Sequence, residues 1–266
     1  MFNEKPVIAK WVADMYDQNE TETEDVDFLL SVIGHEPKNI LEIACGSGRI
    51  LVPLSKAGHT VSGLEADEYM LVKIPAKAEG LENIQWRKAD AVYDDWGKGF
   101  DVVVLAANIL YNIISDMDYT KSQELFIQKA AAAMVPSGHV YIDYNPAGRG
   151  VNQSPPSENN PDSKGLIWEG TDADGNFGRM VLVGDSYDAS TRMDSFQRRF
   201  EMSLKNGETV VQEFPCHKHF APLSQLHEWL QKAGFVIEQE YGGGYKKNPV
   251  NDDSKRVIIY AKKEYN

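Results

Sequence analysis

Two cysteines, Cys45 and Cys216, are all that this 266-residue chain carries. That is too few for a disulfide framework, and nothing points to an oxidising compartment. Long apolar runs are also missing. None approaches the roughly 18 residues that cross a bilayer, and Met1 to Lys10 lacks the apolar stretch of a secretory signal. The expectation is a cytoplasmic protein with no membrane partner. Basic residues are scarce too: 27 Lys and Arg stand against 40 Asp and Glu, a net charge of -13. Nucleic-acid binding draws much of its affinity from neutralised phosphates, so nucleic acid is disfavoured as a partner, and so is an acidic membrane surface. A small molecule fits the charge better. Apolar residues are not lacking. At 42% hydrophobic the chain can build a sizeable core, and its length lies between one and two domains of about 150 residues.

Helical spacing of apolar residues runs from Val7 to Asp17 and from Asp25 to Ile33. The period then shortens. Asn39 to Ala44 reads as a buried strand, Cys45-Gly46-Ser47-Gly48 as a tight turn and Arg49 to Ala57 as a helix. His59 to Leu64 is a second strand ending at Glu65, with a helix from Asp67 that Pro75 should kink or end. Asn83 to Lys88 and Phe100 to Ala106 are further strands, the latter apolar enough to be buried on both faces. Gln123 to Met134 is a helix, Pro136-Ser137-Gly138 a turn and His139 to Asp143 a fifth strand. Alternation of this kind implies parallel strands with helices on both faces, a doubly wound α/β sheet.

After Asn145-Pro146 the texture changes. Gly148 to Gly165 reads as a mobile loop, and Leu166 to Phe220 holds β-rich runs separated by the turns Asp174-Gly175-Asn176 and Lys205 to Glu208. That predicts an antiparallel β element inserted into the α/β unit. Leu223 to Ala233 is a helix capped by Gly234, and Phe235 to Tyr241 and Arg256 to Lys262 are the last strands. Four segments follow: an N-terminal helical lid over 1–34, a ligand-binding α/β core over 35–146, the β insertion over 147–221, and over 222–266 a helix and strand pair completing the core sheet.

Glu42-Ile43-Ala44-Cys45-Gly46-Ser47-Gly48-Arg49 joins the first strand to the first helix. Small residues there let a ligand lie against the backbone, and the helix start offers N–H groups to an anion; a plain tight turn is the other reading. Glu65 ends the second strand, where an acid can accept bonds from ribose hydroxyls, and Asp90, after the third, can accept from an adenine amino group. Either alone could be an ordinary loop acid. All three at the carboxyl edge of consecutive strands mark the edge where such sheets bind ligands.

With these residues the chain resembles the class I S-adenosylmethionine (SAM)-dependent methyltransferases. Their first motif is similar to Glu42 to Gly48, their ribose acid falls on Glu65 and their adenine-side acid on Asp90. Phe100 to Val104, Val135 to His139 and Ala233 to Phe235 match further. The last two strands resemble the antiparallel hairpin that sets this family apart. The resemblance implies a Rossmann-like, mostly parallel seven-stranded sheet, with the inserted strands outside the common core. Asp143-Tyr144-Asn145-Pro146, the insertion, Tyr241-Gly242-Gly243 and Arg256 look like the small-molecule branch that includes amino-sugar N-methyltransferases. Ala44 departs from a common Gly, and Ser137 from another.

For individual residues the resemblance implies SAM as cofactor and S-adenosylhomocysteine as product. Its methionine amino group would lie near Ala44, Cys45 and Gly46 with Glu42 close by, and Gly48 would complete the turn. Arg49 either meets the methionine carboxylate or is a solvated first-turn arginine. Ala66 and Met70 would bracket adenine, unless Met70 is core, with Asp90 and Ala91 beside it. Ala106 to Tyr111 should face the methyl group, which makes Asn108 and Tyr111 candidates for touching both cofactor and acceptor. Tyr16 either closes over the cofactor or packs its helix. On the acceptor side, His217 and His219 share a face if their strand is extended. Either is a general base or a surface histidine. Tyr144, Trp168, Tyr187 and Arg198 are pocket walls or a substrate anchor if they face inward, and insertion core or surface if not. Cys216-His217-Lys218-His219 lacks a second ligand pair, so no metal site is expected.

The implied reaction is in-line displacement of the sulfonium methyl by a nitrogen or oxygen of a small-molecule acceptor. A tRNA or protein methyltransferase and a nonenzymatic SAM-binding module are the alternatives. A homodimer through the β insertion is a further expectation.

Overall fold

The computed structural model describes residues 5–146, 165–252 and 254–264. Most of the stretch read as a mobile loop, 148–164, lies outside the described residues. Two compact units divide the chain: residues 22–147 with 221–266, and residues 1–21 with 148–220. The division puts the two N-terminal helices in different units.

The larger unit is a seven-stranded sheet. Its strands are β1 (Asn39–Ile43), β2 (Thr60–Glu65), β3 (Ile84–Lys88), β4 (Phe100–Leu105), β5 (Met134–Tyr144), β10 (Phe235–Gly242) and β11 (Val257–Lys263). They lie in the order β10-β11-β5-β4-β1-β2-β3. The five N-terminal strands are parallel; β11 runs antiparallel to both β5 and β10. The doubly wound, mostly parallel sheet is thus as expected, with its strand order reversing between β1 and β4. Val102 to Leu105 are fully buried. Helices α2 (Glu24–Ile33), α3 (Leu51–Lys56) and α5 (Ile74–Lys77) pack on one face with Ile40, Val61 and Val102. Helices α7 (Tyr119–Ala133) and α8 (Leu223–Lys232) cover the other face with Leu41, Ile43 and Val103. Alternate residues of each strand therefore serve opposite cores.

Three local readings are corrected. The helix after the first turn starts at Leu51, not Arg49, because Gly48 (φ 84°) is still in the left-handed region. Pro75 does not break a helix: α4 (Glu68–Leu71) has already ended, and Pro75 sits in the first turn of α5, where its missing N–H costs nothing. Pro136-Ser137-Gly138 is not a turn outside the strand. It lies inside β5 as an irregularity, with Ser137 at φ 64°, where pairing with β4 shifts between Phe100 and Val102.

The smaller unit is helix α1 (Pro6–Asn19) on a four-stranded antiparallel sheet of β6 (Leu166–Thr171), β7 (Phe177–Asp188), β8 (Met193–Ser203) and β9 (Thr209–His219). This is the expected inserted element. Ile8, Trp11 and Met15 form one stripe of α1 and pack on Met180, Phe200, Met202 and Phe214. Trp11 Nε1 donates to the Gly170 carbonyl at 2.9 Å. A Cβ on Gly178 would stand 2.5 Å from the indole, so glycine there is what lets the helix seat. Burying a side chain of this size contributes roughly 1.5–3 kcal/mol. Among the described residues no helix is long and apolar enough to cross a membrane.

Candidate active site

The carboxyl ends of β1, β2 and β4 meet at the reversal of strand order, the place where open α/β sheets hold ligands. After β1 the chain turns through Ala44 (φ 57°), Gly46 (φ 55°) and Gly48 (φ 84°). Three residues of seven in left-handed backbone make a tight loop that keeps its N–H groups near the strand tips. No heavy atom lies within 4 Å of where a Cβ on Gly46 would stand, so that side of the loop is open. Lys77 Nζ donates to the Ser47 carbonyl at 3.0 Å and to its hydroxyl at 2.8 Å, pinning the loop from α5.

Glu42, on the same face of β1 as Ile40, is only 4% exposed, and its Oε2 has no hydrogen-bond partner. Burial pushes its carboxyl well above the ordinary carboxylate range, with Arg49 pulling back and Glu65 adding to the rise. A buried orphan oxygen on the strand that leads into this open loop fits a ligand that brings a cationic donor. Cys45 is buried, and burial drives its thiol pKa up, which opposes thiolate formation.

Glu65 joins the strand tips. Its Oε2 accepts the Gly46 N–H and its Oε1 the Asp67 N–H, both at 2.9 Å. Burial raises its pKa, and these N–H groups oppose the rise. Asp67 caps α4 by accepting the Tyr69 N–H at 2.8 Å; Ala66 between them is exposed and Met70 half-buried. Asp90 folds the loop after β3, accepting the Val92 N–H at 2.9 Å. Ala91 gives its carbonyl to Trp96 Nε1 and Lys129 Nζ, each at 2.8 Å.

Arg49 grips Asp25 of α2 with both terminal nitrogens, at 2.8 and 2.6 Å, and also donates to the Glu22 carbonyl. It therefore ties the first loop to α2 and is not the solvated arginine that was one reading of the sequence.

After β4, Ala106 is buried, and Ala107 (φ 51°) and Asn108 (φ 61°) are both left-handed. Asn108 starts α6 (Ile109–Asn112), which carries Tyr111. The Tyr111 ring packs 6.1 Å from Tyr144, centroid to centroid. Tyr144 itself is 1% exposed and donates its hydroxyl to the Ala221 carbonyl at 3.0 Å, so it is core behind Tyr111. Asp143, Tyr245 and Arg256 join the same edge. Arg256 Nη1 pairs with Asp143 Oδ1, and the Tyr245 hydroxyl donates to Asp143 Oδ2 at 3.1 Å. The sequence singles out Asp143 and Arg256 only within the branch pattern, with no role at the site, and does not single out Tyr245, Lys77 or Gly63. The cap at Asp67, an acid ahead of a helix, does leave a readable local signal.

The remaining candidates belong to the smaller unit. Tyr16 and Trp168 meet edge to face, centroids 6.2 Å apart. Arg198 on β8 is half-buried, opposite Phe214 and Leu182, and Tyr187 is half-buried opposite Asp194. His217 is exposed, its Nδ1 3.0 Å from Ser195 Oγ, while His219 is half-buried opposite Met193. Cys216, between the two histidines, is buried on the other side of β9. Among the described residues no group of three or more His, Cys, Asp or Glu side chains is placed to hold a metal.

Comparison with known proteins bears on this site. Residues 40–138, which hold the first loop, Glu65, Asp90 and the Ala107–Asn108 turn, match the family model described as a methyltransferase domain. A protein of Geobacillus sp. (strain WCH70), whose name marks it as an inferred methyltransferase, is 20% identical over 231 residues, 85% of each chain. A solved S-adenosylmethionine-dependent methyltransferase from Clostridium acetobutylicum ATCC 824 superposes with a TM-score of 0.67 at 12% identity, over 96% of this chain and 97% of that one. The sugar N-methyltransferase KedS8 from Streptoalloteichus sp. ATCC 53650 gives 0.68 at 15% identity, over 94% and 91%. At these identities the likeness to the solved structures is one of fold.

Proposed function

We propose that this chain, an S-adenosylmethionine-dependent methyltransferase by its domain and its fold, passes the methyl group in line to a nitrogen or oxygen of a small-molecule acceptor. The observations that carry the cofactor side are Glu42, with its buried unpartnered oxygen near the end of β1, and Gly46, with its open side in the loop that follows. Bound SAM supplies an activated methyl on a positively charged sulfur. Glu42 accepts hydrogen bonds from the methionine amino group, which relieves its burial cost. Glu65 keeps its two N–H bonds and takes the ribose hydroxyls on its remaining lone pairs. Asp90 takes the adenine amino group, with Ala66, Met70 and Ala91 beside the ring. Asn108 and Tyr111 orient the acceptor atom and exclude water. Because charge on sulfur is lost in the transition state, alignment does most of the work and an amine acceptor needs only to shed a proton.

Two things support a small acceptor: the net charge of -13, unsuited to RNA, and the occurrence of this fold in a sugar N-methyltransferase. The test is to incubate the protein with SAM and pools of amines, amino sugars, acids, tRNA and peptides, and to follow S-adenosylhomocysteine. Turnover with a small amine or hydroxyl compound supports the reading. Turnover with tRNA or peptide alone overturns it, and SAM binding without turnover on any pool makes the protein a binding module.

A further inference from the structure

Two consecutive non-glycine residues in left-handed backbone, Ala107 (φ 51°) and Asn108 (φ 61°), need an external hold. Left to itself each costs roughly 1–2 kcal/mol relative to right-handed backbone. The hold comes from the end of β5 and the residue that follows it. The Asn108 N–H donates to the Asp143 carbonyl at 3.2 Å, and the Asn145 N–H donates to Asn108 Oδ1 at 2.9 Å. The Asp143 side chain is buried, and its carboxylate is fixed from the loop between β10 and β11, by Arg256 on Oδ1 and by the Tyr245 hydroxyl on Oδ2, so the carbonyl that receives the Asn108 N–H is held with it. The Arg256 guanidinium stands 5.1 Å from the Tyr245 ring centroid, so the two partners also brace each other. A buried ion pair is rarely worth its desolvation for stability alone, whereas it does fix geometry.

We propose that Asp143 is a positioning residue for methyl transfer: clamped between Arg256 and Tyr245, it holds Ala107 and Asn108 in left-handed backbone and thereby sets Tyr111 at the tip of β4. The inference rests on the reading that Asn108 and Tyr111 face the transferred methyl. Without the clamp the turn relaxes toward right-handed backbone and α6 swings Tyr111 out of register, while Glu42, Gly46 and Glu65 keep their places.

The experiment uses the full chain with Asp143→Asn, which preserves shape and removes the charge, and with Tyr245→Phe as a milder variant that retains the ion pair. Amide hydrogen exchange over 106–112 is measured with bound S-adenosylhomocysteine, together with its affinity and, on the acceptor found by the screen above, kcat. Expected for Asp143→Asn are at least tenfold faster exchange in that segment, kcat lower by at least tenfold and affinity within threefold. Tyr245→Phe shifts exchange and kcat in the same directions by a factor of two to five, and it decides the matter if Asp143→Asn does not fold. Adding Ala107→Gly, which tolerates positive φ, restores at least a third of the lost kcat. Unchanged exchange, an equal fall in kcat and affinity, or no rescue by Ala107→Gly overturns the proposal. A Tyr111→Phe variant separates the two readings. If it loses turnover while Asp143→Asn does not, only the positioning role fails; if it keeps full turnover, the placement of Tyr111 at the methyl fails.

Discussion

Glu65 Oε2 and the Gly46 N–H lie 2.9 Å apart, so the acid that ends β2 is tied directly to the glycine that follows β1. One carboxylate thus sets the spacing of two strand tips and faces the space between them. A side chain in that position acts on the cofactor in two ways, through its own lone pairs and through the loop it holds.

Replacing Glu65 by Gln keeps the shape and removes the charge from bonds to the Gly46 and Asp67 N–H groups and to ribose. Affinity for S-adenosylhomocysteine, measured by titration calorimetry, should fall by about 1–3 kcal/mol, the range for charge-assisted hydrogen bonds. An unchanged dissociation constant would remove Glu65 from the ribose site.

Glu42 gives a pH-dependent signature. Burial raises its carboxyl from the ordinary value of 4.5, with Arg49 opposing the rise and Glu65 and Asp25 adding to it. The folded protein then binds more protons than the unfolded chain above 4.5, so this group's contribution falls as pH rises from there toward its folded pKa. Glu42→Gln removes the liability. The apo melting temperature of the variant minus that of the wild type should increase across this window, while affinity for SAM falls because the amino group loses its acceptor. A melting difference flat in pH from 4.5 upward would refute the assignment of a buried, proton-holding carboxyl.

The sheet was legible because its signals are local. Val102 to Leu105 read as a strand buried on both faces, and each is fully buried. The turn at Cys45 to Gly48 announced itself by its small residues. Boundaries set by longer-range pairing were not legible. Pro136 to Gly138 look like a turn, yet Met134 pairs with Phe100, and the strand absorbs the three residues as a bulge. Helix α7 begins at Tyr119, four residues before Gln123, because Asp118 Oδ1 caps it through the Thr120 and Lys121 N–H groups. The site divides the same way. Gly46, Glu65 and Asp90 follow three successive strands of one alternating stretch, β1 to β3, and could be read together. The Asp143–Arg256 pair spans 113 residues and Arg49–Asp25 spans 24, and no period in the sequence reports either contact.

Gly63 shows how far the first loop depends on its neighbour strand. A Cβ there would stand 2.6 Å from Cys45 Sγ, 2.9 Å from Leu51 Cδ2 and 3.0 Å from Cys45 Cβ. Gly63→Ala should therefore displace the loop and cost about 1–3 kcal/mol, the usual range for overpacking a filled core. The urea midpoint should drop and cofactor affinity should weaken with it. An unaltered midpoint would mean that Cys45 and Leu51 have room to retreat.

Tyr111 is the test of where cofactor ends and acceptor begins. Its ring leans on Tyr144, which is locked in the core by the Ala221 carbonyl, so Tyr111→Phe keeps the packing and deletes only the hydroxyl. If that hydroxyl orients the acceptor, turnover on the acceptor found by screening should fall at least tenfold. S-adenosylhomocysteine affinity should stay within about twofold, since the contribution is made in the transition state and not in cofactor binding. Equal losses in both would assign the hydroxyl to the cofactor. No change in either would leave Asn108 as the one polar side chain of this turn with a claim on the reacting atoms, because Ala106 and Ala107 have nothing to donate beyond their backbone.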